Sequence, residues 1–248
     1  WASSVSGSGS DALTFRYVVA PGESASRLDA ASTSALDLNG GSIANTDGYP
    51  AGLAVPVGAA PGSLASNANV AIDAVAPVVL EYYVRYGTRG WYRLDGSTRR
   101  TLPWMITGVS VLFSKPIAQA SLASLSGLSA TTMGWGGSWV TWSFNGVTQA
   151  NVLTRLSGTG AAAIKDEYGN PLGDGAGHAQ ALRVLYGDFD DNGVVTSADM
   201  VFPRYNAGTF FSPRYVYYYN MFADLNGDGV VDNADVLVAR SRIGARLP

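Results

Sequence analysis

Cysteine is absent from all 248 residues, which removes disulfides, thiol nucleophiles and cysteine-ligated zinc together. Histidine occurs once, as His178 in the turn GDGAGHAQ, where a surface role is expected of it rather than catalysis. Glutamate occurs three times, as Glu23, Glu81 and Glu167, too scattered for the carboxylate pair of sugar hydrolysis. Charged residues make up 14% and the net charge is −3, so no electrostatic case exists for nucleic acid or an anionic membrane. No run of eighteen apolar residues exists to span a bilayer. The glycine clusters Gly7–Gly9 and Gly173–Gly177 have no strand-to-helix context for phosphate. There is also no Asn-x-Ser/Thr acceptor for glycosylation. From these absences the chain is expected not to be an enzyme.

Aspartate is abundant, and it is concentrated. Half of the sixteen aspartates fall in two twelve-residue stretches, Asp188 to Asp199 (DFDDNGVVTSAD) and Asp224 to Asp235 (DLNGDGVVDNAD). Each carries oxygen-bearing side chains at loop positions 1, 3, 5, 9 and 12 and glycine at position 6. Calcium takes about six to eight oxygens in a flexible shell, and a loop bent at a central glycine can turn that many inward. Two calcium ions are therefore expected. The first loop would use Asp188, Asp190, Asn192, the Val194 carbonyl, Thr196 through a water, and Asp199. The second would use Asp224, Asn226, Asp228, the Val230 carbonyl, Asp232 and Asp235, with Gly193 and Gly229 supplying the bends. Such loops fill where calcium is plentiful, which favours an extracellular or cell-surface location.

Position 12 holds Asp rather than Glu, and no helix is evident ahead of either loop. In this the stretch from Tyr186 to Leu247 resembles the type I dockerin module. Helices should follow the loops, the first from near Ser197 behind the Thr196/Asp199 capping pattern and interrupted by Pro203. The second is expected over Asn233–Ile243, with an apolar face of Val236, Leu237, Ala239, Arg240 and Ile243 and a stop at Gly244. In cohesin-binding dockerins loop positions 10 and 11 help set partner choice, and the resemblance implies Ser197, Ala198, Asn233 and Ala234 as contacts for a cohesin-like domain. Pro203 and the aromatic stretch Phe210–Phe222 (FFSPRYVYYYNMF) depart from that pattern. Packing between the helices and the preceding unit is the expectation for the stretch, with a protein-binding surface as the alternative.

Upstream, short strand patterns separated by Gly, Pro, Asn and Asp indicate β-sandwiches. Residues 1–77 give candidates at Leu13–Val19, Ala35–Leu38, Gly52–Val57 and Val70–Asp73. Residues 78–185 give Val78–Tyr86, Gly108–Phe113, Trp139–Phe144, Val152–Leu156 and Ala181–Leu185, with a basic insertion at Gly87–Leu102 expected to be a solvated loop. Ile43-Ala-Asn-Thr-Asp-Gly-Tyr recurs as Ile164-Lys-Asp-Glu-Tyr-Gly-Asn, which marks the two units as repeats. With VSGSGSDALTFRYVVAPGE, LDLNGGSIANTDGYPAGL, VAIDAVAP, VSVLFSKPI and AAIKDEYGNPLGDG, they resemble the immunoglobulin-like repeats of large bacterial extracellular proteins and adhesins.

The expected fold is mainly β: tandem immunoglobulin-like sandwiches over 1–77 and 78–185, the first incomplete, then a small α dockerin-like module over 186–248. The first unit lacks its leading strands. Three readings follow: an excised or processed piece, consistent with an opening at Trp1 without Met or signal peptide; a strand donated by another copy; or a smaller sandwich. The function implied is a calcium-stabilised structural or adhesive segment, or a filament subunit assembled by strand donation, through self-association or other extracellular proteins. The alternatives are a docking module for a cohesin-like partner and a carbohydrate-binding sandwich. For the last, Trp139 and Trp142 should fall on opposite faces of one strand and so cannot share a platform.

Overall fold

A computed structural model describes residues 1–88, 90–211 and 219–248. The chain is mainly β and divides into two compact units, Trp1–Val75 and Ala76–Pro248. Among the described residues no helix is long and apolar enough to cross a membrane.

The first unit holds a hairpin of β1 (Ala2–Ser6) and β2 (Thr14–Tyr17), and a two-residue pairing of β3 (Ser24–Ala25) with β4 (Ile72–Asp73). A single helical turn, α1 (Leu64–Asn67), is capped by the Ser63 hydroxyl. This is less than the partial sandwich expected. Residues 35–38 and 52–57 form no strand, and Val70–Asp73 shrinks to β4. The physical reason is the missing second layer. Among its described residues only Ser63 and Ala65 are buried, while Phe15 and Val19 are 46% and 41% exposed, so β2 has no apolar surface to pack on.

The second unit has two layers of its own. Its strands are β5 (Val79–Tyr86), β6 (Gly90–Arg93), β7 (Ile106–Phe113), β8 (Ile117–Gln119), β9 (Leu125–Ser126), β10 (Thr132–Gly136), β11 (Trp139–Val147), β12 (Gln149–Leu156), β13 (Lys165–Asp166) and β14 (His178–Leu185). One antiparallel sheet runs β10-β11-β7-β5-β6 and a second runs β14-β12-β9, with β8 and β13 as a separate pair. The period-2 alternation drives Tyr82, Val84, Val109, Val111, Val140 and Trp142 from the first sheet and Leu156, Leu182 and Val184 from the second into one core. A buried hydrogen bond of 2.9 Å between Tyr82 Oη and Thr154 Oγ1 ties the two sheets together. All five strands expected here form. Trp142 is buried and Trp139 is 40% exposed, on opposite faces of β11 as the period requires.

The repeated motif folds into the same turn in both units. Asn45 Oδ1 accepts the N–H of Asp47 and Tyr49, and Asp166 Oδ1 accepts those of Tyr168 and Asn170. Ala44 then pairs with Pro50, and Lys165 with Pro171. What the first unit lacks is any counterpart of the β5, β7 and β11 layer.

The basic insertion is not the solvated loop expected. It contains β6, and it then turns inward, so that Thr101 and Trp104 are 2% and 0% exposed. Residues 186–248 belong to the same compact unit as this sandwich. There the 3-10 turn Ser197–Met200 runs into α2 (Val201–Tyr205), while α3 covers Asn233–Ser241. The first helix passes Pro203 and ends two residues later, within the limit that the missing N–H sets. On α3, Val236 and Ala239 are buried. Leu237, expected on the apolar face, is 52% exposed, because inward contact follows the Asp235-Val236-Ala239 side. Ile243, also 52% exposed, lies past the end of the helix, which stops at Ser241 short of the expected Ile243.

Candidate metal centre

Each acidic loop is held open by its own backbone, and the two do it in the same way. In the first, Asp188 accepts the N–H of Asn192 at 3.2 Å and of Gly193 at 3.1 Å. Asp199 accepts those of Asp190 at 3.0 Å and Thr196 at 2.8 Å. In the second, Asp224 accepts from Asp228 at 3.1 Å and Gly229 at 2.8 Å, and Asp235 from Asn226 at 3.1 Å and Asp232 at 2.8 Å. The Asn192 and Asp228 side chains also match, each accepting the N–H two residues on, of Val194 and Val230, both at 2.8 Å. Thr196 and Asp232 cap the helices through the N–H of Ala198 and Ala234.

The correspondence extends past the loops, always 36 positions apart (Asp188 to Asp224). Gly244 N–H donates to Val195 O and Leu247 N–H to Gly193 O; equivalently, Gly208 N–H donates to Val231 O and Phe211 N–H to Gly229 O. Each loop is thus paired with the chain leaving the other half's helix, the second through β15 (Thr209–Phe210) and β16 (Val230–Val231). In the first loop the bonds of this pairing fall on Gly193 and Val195, so they do not engage the Val194 carbonyl.

Oxygens of Asp188, Asp190 and Asp199 all lie within 4.8 Å of one another, and among the described residues this is the one such group of three acids. Asp188 and Asp199 are fully buried. Burial, followed by the nearby Asp199 charge, raises the Asp190 pKa. The second loop has the same frame but Asn226 at position 3, and the Tyr219 hydroxyl donates to Asp224 Oδ2. Burial is also the largest cause that raises Asp224, and it pushes Asp235 up to about 6. Acids crowded this closely are a setting in which a cation would offset their mutual repulsion. Every donor in reach is oxygen, from carboxylates, amides, hydroxyls or carbonyls, the set that suits a hard divalent ion such as calcium. The twelve expected positions therefore fall into two matching loops, with the acid cluster closed in the first.

Sequence reasoning missed what surrounds the loops. Asp191 occupies the left-handed region at φ 66° and accepts the N–H of Arg100 at 2.8 Å and of Thr101 at 2.6 Å. Burial pushes Asp191 up, but those N–H bonds, the Thr101 hydroxyl and the Arg99 charge together hold it below the ordinary carboxylate value. Arg99, whose own pKa burial lowers, donates from Nη2 to the carbonyls of Asp188 and Phe189 and lies 4.3 Å over the Phe222 ring. Position 4 of the second loop is Gly227, whose carbonyl accepts the Thr88 N–H at 3.1 Å. Trp104 stacks between Tyr86 at 4.0 Å and Phe222 at 5.2 Å, and its indole N–H donates to the carbonyls of Met221 and Asp224. The only forewarning was the run of basic residues, which a solvated loop explained as well.

Other expectations land as follows. Ser197, Ala198, Asn233 and Ala234 are all exposed at the helix starts. His178 is half-buried rather than on the surface, stacked 6.3 Å from Tyr82, with burial lowering its pKa. Of the aromatic stretch, Ser212–Tyr218 lie outside the described residues; Phe210 and Phe211 are exposed, and Phe222 packs on Trp104. A scan against protein-family models, a search of curated proteins and a search of solved structures each returned no match.

Proposed function

We propose that this protein is a non-enzymatic, calcium-stabilised structural or adhesive segment of an extracellular or cell-surface protein, with immunoglobulin-like units and a dockerin-like end. One observation carries the reading: two loops 36 positions apart repeat one hydrogen-bond frame around buried acids, and both are built onto the sandwich. Two ions are the fitting complement, the first among Asp188, Asp190, Asn192, Val194, Thr196 and Asp199. The second belongs among Asp224, Asn226, Asp228, Val230, Asp232 and Asp235. Calcium neutralises the acids and locks loop, helix and tail into one body. Binding to the folded form alone adds about 4 kcal/mol per site at a thousandfold excess over Kd. The exposed Phe15, Val18 and Val19 on and beside β2, together with its unpaired edge, support self-association by strand addition.

Thermal melting with calcium and with EGTA tests this. Chelation is expected to lower Tm and to loosen residues 186–248, whereas an unchanged melt refutes the calcium assignment. The exposure of Ser197, Ala198, Asn233 and Ala234 favours a second reading, docking to a cohesin-like partner. That reading predicts that Ser197→Ala with Asn233→Ala abolishes capture by such a domain.

A further inference from the structure

The two loops receive the same chemical help from different places. Beyond their own backbone donors, each position-1 carboxylate accepts one hydroxyl: Asp224 from Tyr219, a few residues ahead in the same half, and Asp188 from Thr101, 87 residues upstream. Thr101 Oγ1 lies 2.6 Å from Asp188 Oδ2 and 2.7 Å from Asp191 Oδ1. A hydroxyl carries one hydrogen, so it bonds one carboxylate while keeping the two from facing each other bare. Of the two oxygens it faces, Asp191 Oδ1 already holds the Thr101 N–H at 2.6 Å, while Asp188 Oδ2 has the longer Gly193 N–H at 3.1 Å, which leaves Asp188 the more dependent on that hydrogen. Thr101 is itself fixed: it is 2% exposed, and its carbonyl accepts Arg99 Nε at 3.0 Å while Arg99 Nη2 reaches the carbonyls of Asp188 and Phe189.

We infer that Thr101 is a positioning residue of the first calcium site, supplied by the sandwich, and that filling this site and docking of the Arg99–Trp104 segment promote one another. The inference rests on the calcium reading above. Outer hydrogen bonds of this kind fix the rotamer of a ligand, and losing one costs about 10- to 100-fold in metal affinity. The second site, with its hydroxyl from Tyr219, is independent of Thr101. Because linkage is reciprocal, an ion held by Asp188 must in turn strengthen the Asp191 clasp on Arg100 and Thr101.

The test is a two-site calcium titration of the full chain by calorimetry, with amide hydrogen exchange to assign each site. Thr101→Val keeps the branched shape and removes the hydroxyl. It is expected to weaken one site about 10- to 100-fold and leave the other unchanged, with Thr101→Ser restoring it. Equal weakening of both sites, or none, overturns the inference. Should Thr101→Val fail to fold, Asp199→Ala carries the reverse test. Emptying the first loop should raise exchange at the Arg100 and Thr101 amides, and Asp235→Ala should not; continued protection in Asp199→Ala also overturns it. A wild-type chain that takes up no calcium overturns the underlying reading, and this one with it, and is told apart by the flat titration.

Discussion

The halves around Asp188 and Asp224 share their interior and differ in their anchors. Inside, the bonds that shape the loops match within a few tenths of an ångström. Outside, the first loop meets the sandwich through charge: Asp191, Arg99, the Arg100 N–H and the Thr101 hydroxyl. The second meets it through close packing: Gly227 against Gly87, and Phe222 against Trp104. Positions 1, 6 and 12 carry the same residue in both loops, and positions 3, 5 and 9 carry an oxygen-bearing side chain in each, so the repeat is kept in its chemistry there. Position 4 faces away, and there the two halves are free to hold Asp191 and Gly227, each in the left-handed region, at φ 66° and 71°.

That contrast is broken most severely at Trp104. Replacing it with alanine should cost about 3 to 5 kcal/mol in calcium-saturated urea unfolding, since it empties the space between Tyr86 and Phe222 and strands two carbonyls. Hydrogen exchange should rise first around Met221–Gly229, and later around the first loop, which has its own clasp.

A gentler version separates contact from conformation. A Cβ on Gly227 would lie 2.7 Å from the Gly87 Cα, and one on Gly87 would lie 2.1 Å from the Gly227 oxygen, backbone atoms that cannot yield. Gly227→Ala should therefore lose about 2 to 4 kcal/mol, from overpacking added to left-handed strain. Gly229→Ala meets nothing within 4 Å, although its φ is 95°. It should lose only the strain, about 1 to 2 kcal/mol, and equal losses in the two variants would remove close packing as the second loop's anchor.

How much of this could be read from residues alone follows the same division. The loops declare themselves because oxygen-bearing side chains at positions 1, 3, 5, 9 and 12 and glycine at position 6 recur within twelve consecutive residues, a spacing that calcium loops share. The five central strands declare themselves through Tyr82-Val84-Tyr86 or Val109-Val111-Phe113, alternations buried on one side. Strands of two to five residues such as β6, β9 and β13 are too short for a period to show. Thr101 and Trp104 leave no local trace because their partners lie about 90 to 120 positions away, and nothing in TRRTLPW says which way it turns. In the first unit the local turn at Asn45 was legible and the sandwich was not, since a layer is a property of several strands together and the pattern of one cannot supply it.

The smallest effect separates the halves by proton. Asp235 has its folded-state pKa pushed up to about 6 by burial, well above the ordinary carboxylate value of about 3.9. In the calcium-free protein the folded chain thus binds more protons than the unfolded chain between those two values, and stability falls as pH rises through them. With EGTA present, the Tm should accordingly be higher at pH 5 than at pH 7.5. With calcium present the order should reverse, because a proton on Asp235 competes with the ion for the same oxygens. Asp235→Asn removes that titration, so its EGTA melts at the two pH values should draw together. If the wild-type and Asp235→Asn proteins show the same pH dependence in EGTA, the proton is taken up elsewhere, and the second loop's burial of acid is not what makes its empty state costly.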